Sequence, residues 1–133
     1  MTDEKRIAVR FDGDIVTARQ EGRSLAAHLG FSGSDLTVIT TAISEVARNI
    51  VQYAGYGEII LRSARKKGKP GIVIIASDNG PGISDINKAL QDGYSTSNGL
   101  GIGLPGAKRL MDEFTIVSQV GKGTTITMKK WIR

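Results

Sequence analysis

The chain has 133 residues, of which 40% are hydrophobic and 23% are charged. This is enough for one domain with its own core and too little for two. No apolar run is long enough to span a bilayer, no leader-like pattern opens the chain and no cysteine is present, so we expect a cytoplasmic protein without a membrane partner, disulfide or thiolate metal site.

The net charge is +5, and much of the excess lies in one short basic segment, Arg62 to Lys69. This segment separates two apolar runs and ends in Pro70-Gly71, so turn chemistry explains it as a solvated hairpin turn. Aromatic residues make up only 5% of the chain and do not alternate with the basic ones. The composition therefore argues against a nucleic-acid groove.

The first part of the chain predicts a strand and two helices. Apolar and polar residues alternate between residues 7 and 11, the period of a strand. A helix follows, with Asp14 as its expected N-cap and Gly30 as its stop. The next helix has the strongest pattern, because apolar residues recur three and four positions apart from 36 to 50. We expect it to end near residues 54–55.

Two strands follow, at residues 58–64 and 72–77, joined by the basic turn. The second is apolar on both faces, which is typical of a central strand covered by helices. The remaining predicted elements are a short helix at 85–91, a mobile glycine- and serine-rich loop at 92–103, a helix with Pro105 in its first turn, and a hairpin of strands 114–120 and 124–132. This order predicts an α+β two-layer sandwich, a mixed sheet covered by helices on one face.

Glu45 and Asn49 are one turn apart on the second helix, on a stripe distinct from its apolar one. A carboxylate there can take a proton from an attacking hydroxyl, and an amide oxygen suits a hard cation such as Mg²⁺. Taken alone, the pair is more typical of a solvated helix face than of a catalytic site.

A second candidate group follows the buried strand. Asp78 can accept a hydrogen bond from an exocyclic amine such as that of adenine, while Gly80 and Gly82 permit close approach of the backbone to a ligand. The same residues also form a good turn, so the segment alone leaves both interpretations open.

Two glycine-rich segments complete the pattern. The run Gly99-Leu100-Gly101-Ile102-Gly103-Leu104 precedes a predicted helix, whose free amides and dipole favour phosphate, although the spacing is not that of a P-loop. Gly123-Thr124-Thr125 opens the last strand, where a hydroxyl can bind a base edge.

The order of these groups is more specific than any of them alone. Glu-x-x-x-Asn on a helix, Asp-x-Gly-x-Gly after a strand, Gly-x-Gly-x-Gly before a helix and a final Gly-Thr-Thr resemble the GHKL superfamily of gyrase, heat-shock chaperone, histidine kinase and MutL. The resemblance implies the Bergerat ATP-binding fold in a single domain covering residues 1–133, with ATP and Mg²⁺ as ligands.

Within the superfamily the chain resembles the RsbT-type serine/threonine kinases of anti-sigma-factor pathways. The resemblance rests on residues 39–50, 92–97, 103–114 and 130–133. A histidine kinase would need a phosphoacceptor histidine, and His28, the only histidine, has no acidic neighbour in the sequence.

The resemblance implies a role for each matched position. Glu45 is implied as the catalytic base and Asn49 as the Mg²⁺ ligand, while Asp78 and Thr125 hold adenine. The implied nucleotide-binding set is Asn49, Asp78, Gly80, Gly82, Thr96, Gly99, Leu100, Gly101, Ile102, Gly103, Leu104 and Thr125. Some relatives carry a lid arginine for the γ-phosphate, which residues 97–101 lack, so Lys108, Arg109 or a partner is expected to substitute.

The implied partners are proteins. They are an STAS-domain antagonist phosphorylated on serine, an STAS co-antagonist in a stressosome-like complex, and a PP2C-type phosphatase that the released kinase activates. Two alternatives remain: an anti-sigma factor or ATP-gated binding module that sequesters a protein, and a slow stand-alone ATPase.

Overall fold

A computed structural model describes residues 4–91 and 103–133. Its elements are β1 (Glu4–Val9), α1 (Asp12–Leu29), α2 (Ser34–Asn49), a π-helical turn (Ile50–Ala54), β2 (Gly57–Lys66), β3 (Lys69–Asp78), α3 (Ile86–Ala89), α4 (Gly103–Leu110), β4 (Glu113–Gln119) and β5 (Gly123–Trp131). Every predicted strand and helix is therefore present, with bounds shifted by a few residues.

The strands form one sheet in the order β1-β2-β3-β5-β4, and each of its pairings is antiparallel. The α+β fold class is confirmed, but the expectation of a mixed sheet was wrong. Strand β4 follows α3 and α4 and runs parallel to β3, but one strand position of the sheet separates the two. The hairpin partner β5 fills that position and runs antiparallel to both neighbours.

The hydrophobic core lies between one face of the sheet and helices α1, α2 and α4. Ile72, Ile74 and Ala76 of β3 are buried there, whereas Val73 and Ile75 point to the other face and are half-buried. The central strand is thus covered by helices on one face only, and the two-layer prediction holds. Among the described helices, none is long and apolar enough to cross a membrane.

The basic segment forms the predicted hairpin turn. Lys67 and Gly68 have φ of 53° and 79°, the positive values of a two-residue turn that matches strand twist. The charged side chains therefore project from the sheet end opposite Asp78.

The start of α1 departs from expectation, whereas the predicted ends of α1 at Gly30 and of the second helical segment near residues 54–55 are confirmed. The N-cap of α1 is Phe11, and Asp14 lies inside the first turn, where its carboxylate accepts the Arg10 amide N–H at 2.9 Å. At the other end Gly30 adopts the predicted left-handed conformation, with φ of 109°. Helix α2 continues beyond Asn49 as a π-helical turn, which Gly55 closes by donating its N–H to the Ile50 carbonyl at 2.8 Å.

Candidate nucleotide-binding site

A cavity of about 370 Å³ opens at the carboxyl end of β3. Its walls come from the end of α2, the π-helical turn, the loop after β3, α3, the start of α4 and the start of β5. The volume lies within the usual range for small-molecule sites. Four predicted binding residues line it: Asn49, Asp78, Gly82 and Leu104.

Asp78 is held by the backbone around it. Its Oδ1 accepts the Gly80 N–H at 2.9 Å and the Thr124 N–H at 3.3 Å. Its Oδ2 accepts no hydrogen bond from any residue in the described ranges, so one carboxylate oxygen is available to a ligand. This arrangement fits recognition of an exocyclic amine.

The two glycines after Asp78 allow the loop to pack tightly. A Cβ on Gly80 would lie 2.6 Å from Ala54 Cβ, and one on Gly82 would lie 2.3 Å from the Gln119 carbonyl oxygen. Gly82 also has φ of 80°, which a side chain disfavours. Gly82 lines the cavity, whereas Gly80 is not part of the cavity wall.

Asn49 ends α2 at the cavity wall and is partly exposed. Its amide makes no hydrogen bond with another described residue, which leaves the oxygen available to a ligand. Among the residues that the structure describes, no three His, Cys, Asp or Glu side chains lie close enough together to hold a metal ion. A Mg²⁺ ion that takes one amide oxygen and completes its shell with phosphate oxygens and water fits this arrangement.

Glu45 lies one turn earlier but is not part of the cavity wall. It is 7% exposed, and both its carboxylate oxygens have partners. Oε1 accepts a hydrogen bond from the Gly103 N–H at 2.9 Å, and Oε2 accepts one from Arg48 Nη1 at 2.5 Å. The carboxylate therefore lies against Gly103, the first residue of α4.

The cavity wall contains Thr124 and not Thr125, the threonine of the predicted set. Thr125 is exposed on the helix-free face of the sheet, with Oγ1 3.5 Å from Ser77 Oγ. Thr124 is 4% exposed, lines the cavity and places Oγ1 2.8 Å from Ser118 Oγ. Adjacent residues of a strand point to opposite faces, so an error of one position exchanges the two sides of the sheet.

Predictions on the glycine-rich run can be assessed only from Gly103 onwards. Thr96, Gly99, Leu100, Gly101 and Ile102 lie outside the described residues. Gly103 begins α4 with φ of 67°, and Leu104 is 2% exposed and lines the cavity.

Neither basic residue suggested for the γ-phosphate lies at the cavity. Lys108 and Arg109 are exposed in the last turn of α4, away from its N-terminus. His28 is exposed in the last turn of α1, as expected of a surface residue.

Sequence patterns missed part of the wall. The cavity residues that were not predicted include Tyr53, Ala54, Ile83, Lys88, Ala89 and Thr124. Tyr53 and Ala54 belong to the π-helical turn, a feature often found at functional sites. The apolar pattern of α2 continues with residues 50, 51 and 54. The spacing of apolar residues therefore does not distinguish an α-helical from a π-helical turn.

Comparison with known proteins agrees with this geometry. Residues 10–130 match the family of histidine kinase-like ATPase domains. The chain is 54% identical to the serine/threonine-protein kinase RsbT of Bacillus subtilis over 133 residues, the whole of both chains. It is also 33% identical over 121 residues to an anti-sigma F factor of Caldanaerobacter subterraneus, covering 86% of this chain and 83% of the other.

Solved structures support the fold. The RsbU and RsbW domains of Rv1364c from Mycobacterium tuberculosis match with a TM-score of 0.60 and 24% identity, covering 97% of this chain and 33% of that one. The catalytic domain of histidine kinase ThkA matches with a TM-score of 0.53 and 14% identity, covering 96% and 95%. The chain therefore belongs to the histidine kinase-like ATPase family and, within it, to the RsbT-type serine/threonine-protein kinases, so it is an ATP-dependent kinase.

Proposed function

We propose that this kinase transfers the γ-phosphate of ATP to a serine of an STAS-domain antagonist protein in a stress-response partner-switching pathway. The observation that carries the proposal is the 54% identity to a serine/threonine-protein kinase across the full length of both chains. The cavity beside Asp78 supplies a matching place for the nucleotide.

Adenine is proposed to bind at Asp78. The free Oδ2 accepts the exocyclic amine, and the apolar side chains of Ile83 and Leu104 form the walls. The Thr124 hydroxyl, rather than that of Thr125, lies where it can contact a base edge.

The phosphates are proposed to lie toward the start of α4, because the positive end of a helix dipole favours an anion. When bound, Mg²⁺ would be held by the Asn49 amide oxygen and would offset phosphate charge.

Glu45 is the proposed catalytic base. The oxygen of the partner's serine forms a bond to the γ-phosphorus, the bond to the bridging oxygen breaks, and ADP leaves with that electron pair. The serine proton passes to the Glu45 carboxylate. Each carboxylate oxygen has two lone pairs, so the bonds from Arg48 and Gly103 leave room for this proton.

The test is transfer of radiolabelled γ-phosphate from ATP to a purified STAS-domain protein of the same genome. General-base help contributes roughly 10²–10⁴ in rate, so Glu45→Gln is expected to lose at least about 100-fold in transfer while retaining ATP affinity. Glu21→Gln, an exchange of the same chemistry at the surface of α1, is the matched control. An acceptor with alanine at the target serine should receive no label.

Each contrary result has its own meaning. Full transfer by Glu45→Gln would remove Glu45 from the mechanism. Absence of label despite ATP binding would favour the alternative of an anti-sigma factor or ATP-gated binding module. Phosphate release without any acceptor would favour a stand-alone ATPase.

The wider partner set is part of the same proposal. An STAS co-antagonist in a stressosome-like complex and a PP2C-type phosphatase are the further partners, and the reaction takes place in the cytoplasm. Similarity to an anti-sigma factor and to a protein with RsbU and RsbW domains supports exchange between protein partners. Co-purification of each candidate with and without ATP, before and after phosphorylation of the antagonist, measures that exchange.

A further inference from the structure

Arg48 occupies a position for which the reaction described above has no role. It lies on α2 between Glu45 and Asn49, and its Nη1 is 2.5 Å from Glu45 Oε2. The side chain of Glu45 is 6% exposed and that of Arg48 is 27% exposed. The only acid proposed for chemistry therefore shares a largely buried ion pair.

A general base must be held within reach of the proton and in a fixed orientation, because a small misplacement of a catalytic group lowers the rate strongly. Arginine keeps its charge at all relevant pH values and fixes the geometry through its planar fork. Because the Gly103 N–H donates a hydrogen bond to the other oxygen, both oxygens of the Glu45 carboxylate are restrained.

Among the described residues Arg48 is the single cation paired with Glu45. Lys108 and Arg109 on α4, the other helix beside Glu45, are exposed at its far end. Arg48 is also not among the residues that line the cavity, so its visible contact is with the base and not with the nucleotide site.

We propose that Arg48 is a positioning residue, which holds the Glu45 carboxylate in the orientation that proton transfer requires and acts on phosphoryl transfer only through it. This rests on the proposed function, in which Glu45 is the base.

A double-mutant cycle tests the dependence on Glu45. Single-turnover phosphate transfer to the STAS-domain acceptor is measured at saturating ATP for wild type, Arg48→Met, Glu45→Gln and the double variant. Arg48→Met is expected to lower the rate by about tenfold or more with unchanged ATP affinity, because the carboxylate is then no longer held in the reactive orientation. In the Glu45→Gln background the same change should alter the residual rate by less than about twofold.

Two further variants separate charge from fold. Arg48→Lys keeps the charge and should recover part of the lost rate. Arg23→Met, on the exposed surface of α1, is the matched control and should transfer phosphate like wild type. Thermal melting of each variant shows whether it is folded, and if Arg48→Met is not, the cycle is run with Arg48→Lys.

The outcomes separate the two proposals. Independent losses that multiply in the double variant would overturn the inference, because Arg48 would then act on another group such as the γ-phosphate. A wild-type rate for Arg48→Met, or a weakened ATP affinity, would also overturn it. A wild-type rate for Glu45→Gln would instead overturn the proposed base, and would do so in a variant in which Arg48 is unchanged.

Discussion

Thr124 and Thr125 are neighbours in the chain, yet their hydroxyls lie on opposite sides of the sheet. Thr124 pairs with Asp78 across β3 and β5, and Thr125 pairs with Ser77. The Ser118 hydroxyl lies against Thr124 and accepts the Ile83 N–H at 2.7 Å, so it joins the loop after β3 to the start of β5. The threonine of the Gly-Thr-Thr motif that lines the cavity is therefore the first of the two.

Replacing each threonine by valine distinguishes the two positions. Thr124→Val is expected to weaken ATP binding by about threefold to tenfold, because a buried hydrogen bond contributes about 1 kcal/mol and this one shapes the cavity. Thr125→Val should bind ATP like wild type. Titration calorimetry measures both, and the reverse order of affinities would restore the prediction from sequence.

Asp78 combines a structural and a ligand-binding role in one carboxylate. Asp78→Asn keeps an oxygen for the Gly80 and Thr124 amides but places an NH₂ group where adenine requires an acceptor. ATP affinity should fall by about 10- to 100-fold, since a hydrogen bond to a charged group contributes about 1.5–3 kcal/mol. The same calorimetric titration measures it, with the melting temperature as a check on folding. Unchanged affinity would refute the role of Asp78.

At the scale of the elements, the π-helical turn and the loop after β3 form adjoining walls of the site. Gly55 ends the first and Gly82 lies in the second, and both have φ of 80°. A Cβ on Gly55 would meet nothing within 4 Å, whereas one on Gly82 would meet the Gln119 backbone at 2.3 Å. The two glycines share a conformation and differ in the space around them.

Alanine at each position separates these two effects. Gly55→Ala should cost about 1 kcal/mol of unfolding free energy, the cost of a left-handed conformation. Gly82→Ala should cost about 3 kcal/mol or more, because backbone atoms must also move. Urea unfolding at pH 7 measures both. Equal losses would show that the loop absorbs the added methyl group without strain.

Across the whole molecule, ion pairs stabilise the sheet and helix α1 at points far from the nucleotide site. The Arg62 guanidinium on β2 lowers the pKa of Glu4 on β1, and Arg10 lowers the pKa of Asp14. The Trp131 indole N–H, followed by Lys66, lowers the pKa of Glu113. Each carboxylate therefore releases its proton more readily in the folded than in the unfolded chain.

The sign of the pH dependence follows from these shifts. A group with a lowered folded pKa contributes its full stabilisation above its unfolded pKa of about 4, and this is lost as the pH falls through the folded value. The unfolding free energy should decrease between about pH 5 and pH 2, and the effect should be modest because the pairs are at the surface.

Urea unfolding across this pH range measures the slope. Glu113→Gln retains an acceptor for Trp131 but cannot ionise, so its stability should decline less steeply with acid than that of wild type. An identical slope for the two proteins would show that Glu113 does not contribute to acid sensitivity.

The kinds of elements, their order and the family could all be predicted from patterns along the chain. Periodicity and turn chemistry act between residues that are close in the chain, so the α2 stripe, the basic hairpin and the Asp78–Gly82 turn were predictable. The order of the motifs indicated the ATP-binding fold, and that order does not depend on atomic geometry.

The details of the site depend on contacts between residues that are far apart in the chain. Glu45 meets Gly103 across 58 positions, and Asp78 meets Thr124 across 46. Contacts at such separations depend on strand register and helix packing, which local patterns do not encode. The same reason explains why the antiparallel arrangement of β3 and β5, the π-helical wall and the choice of Thr124 over Thr125 became evident only in the folded chain.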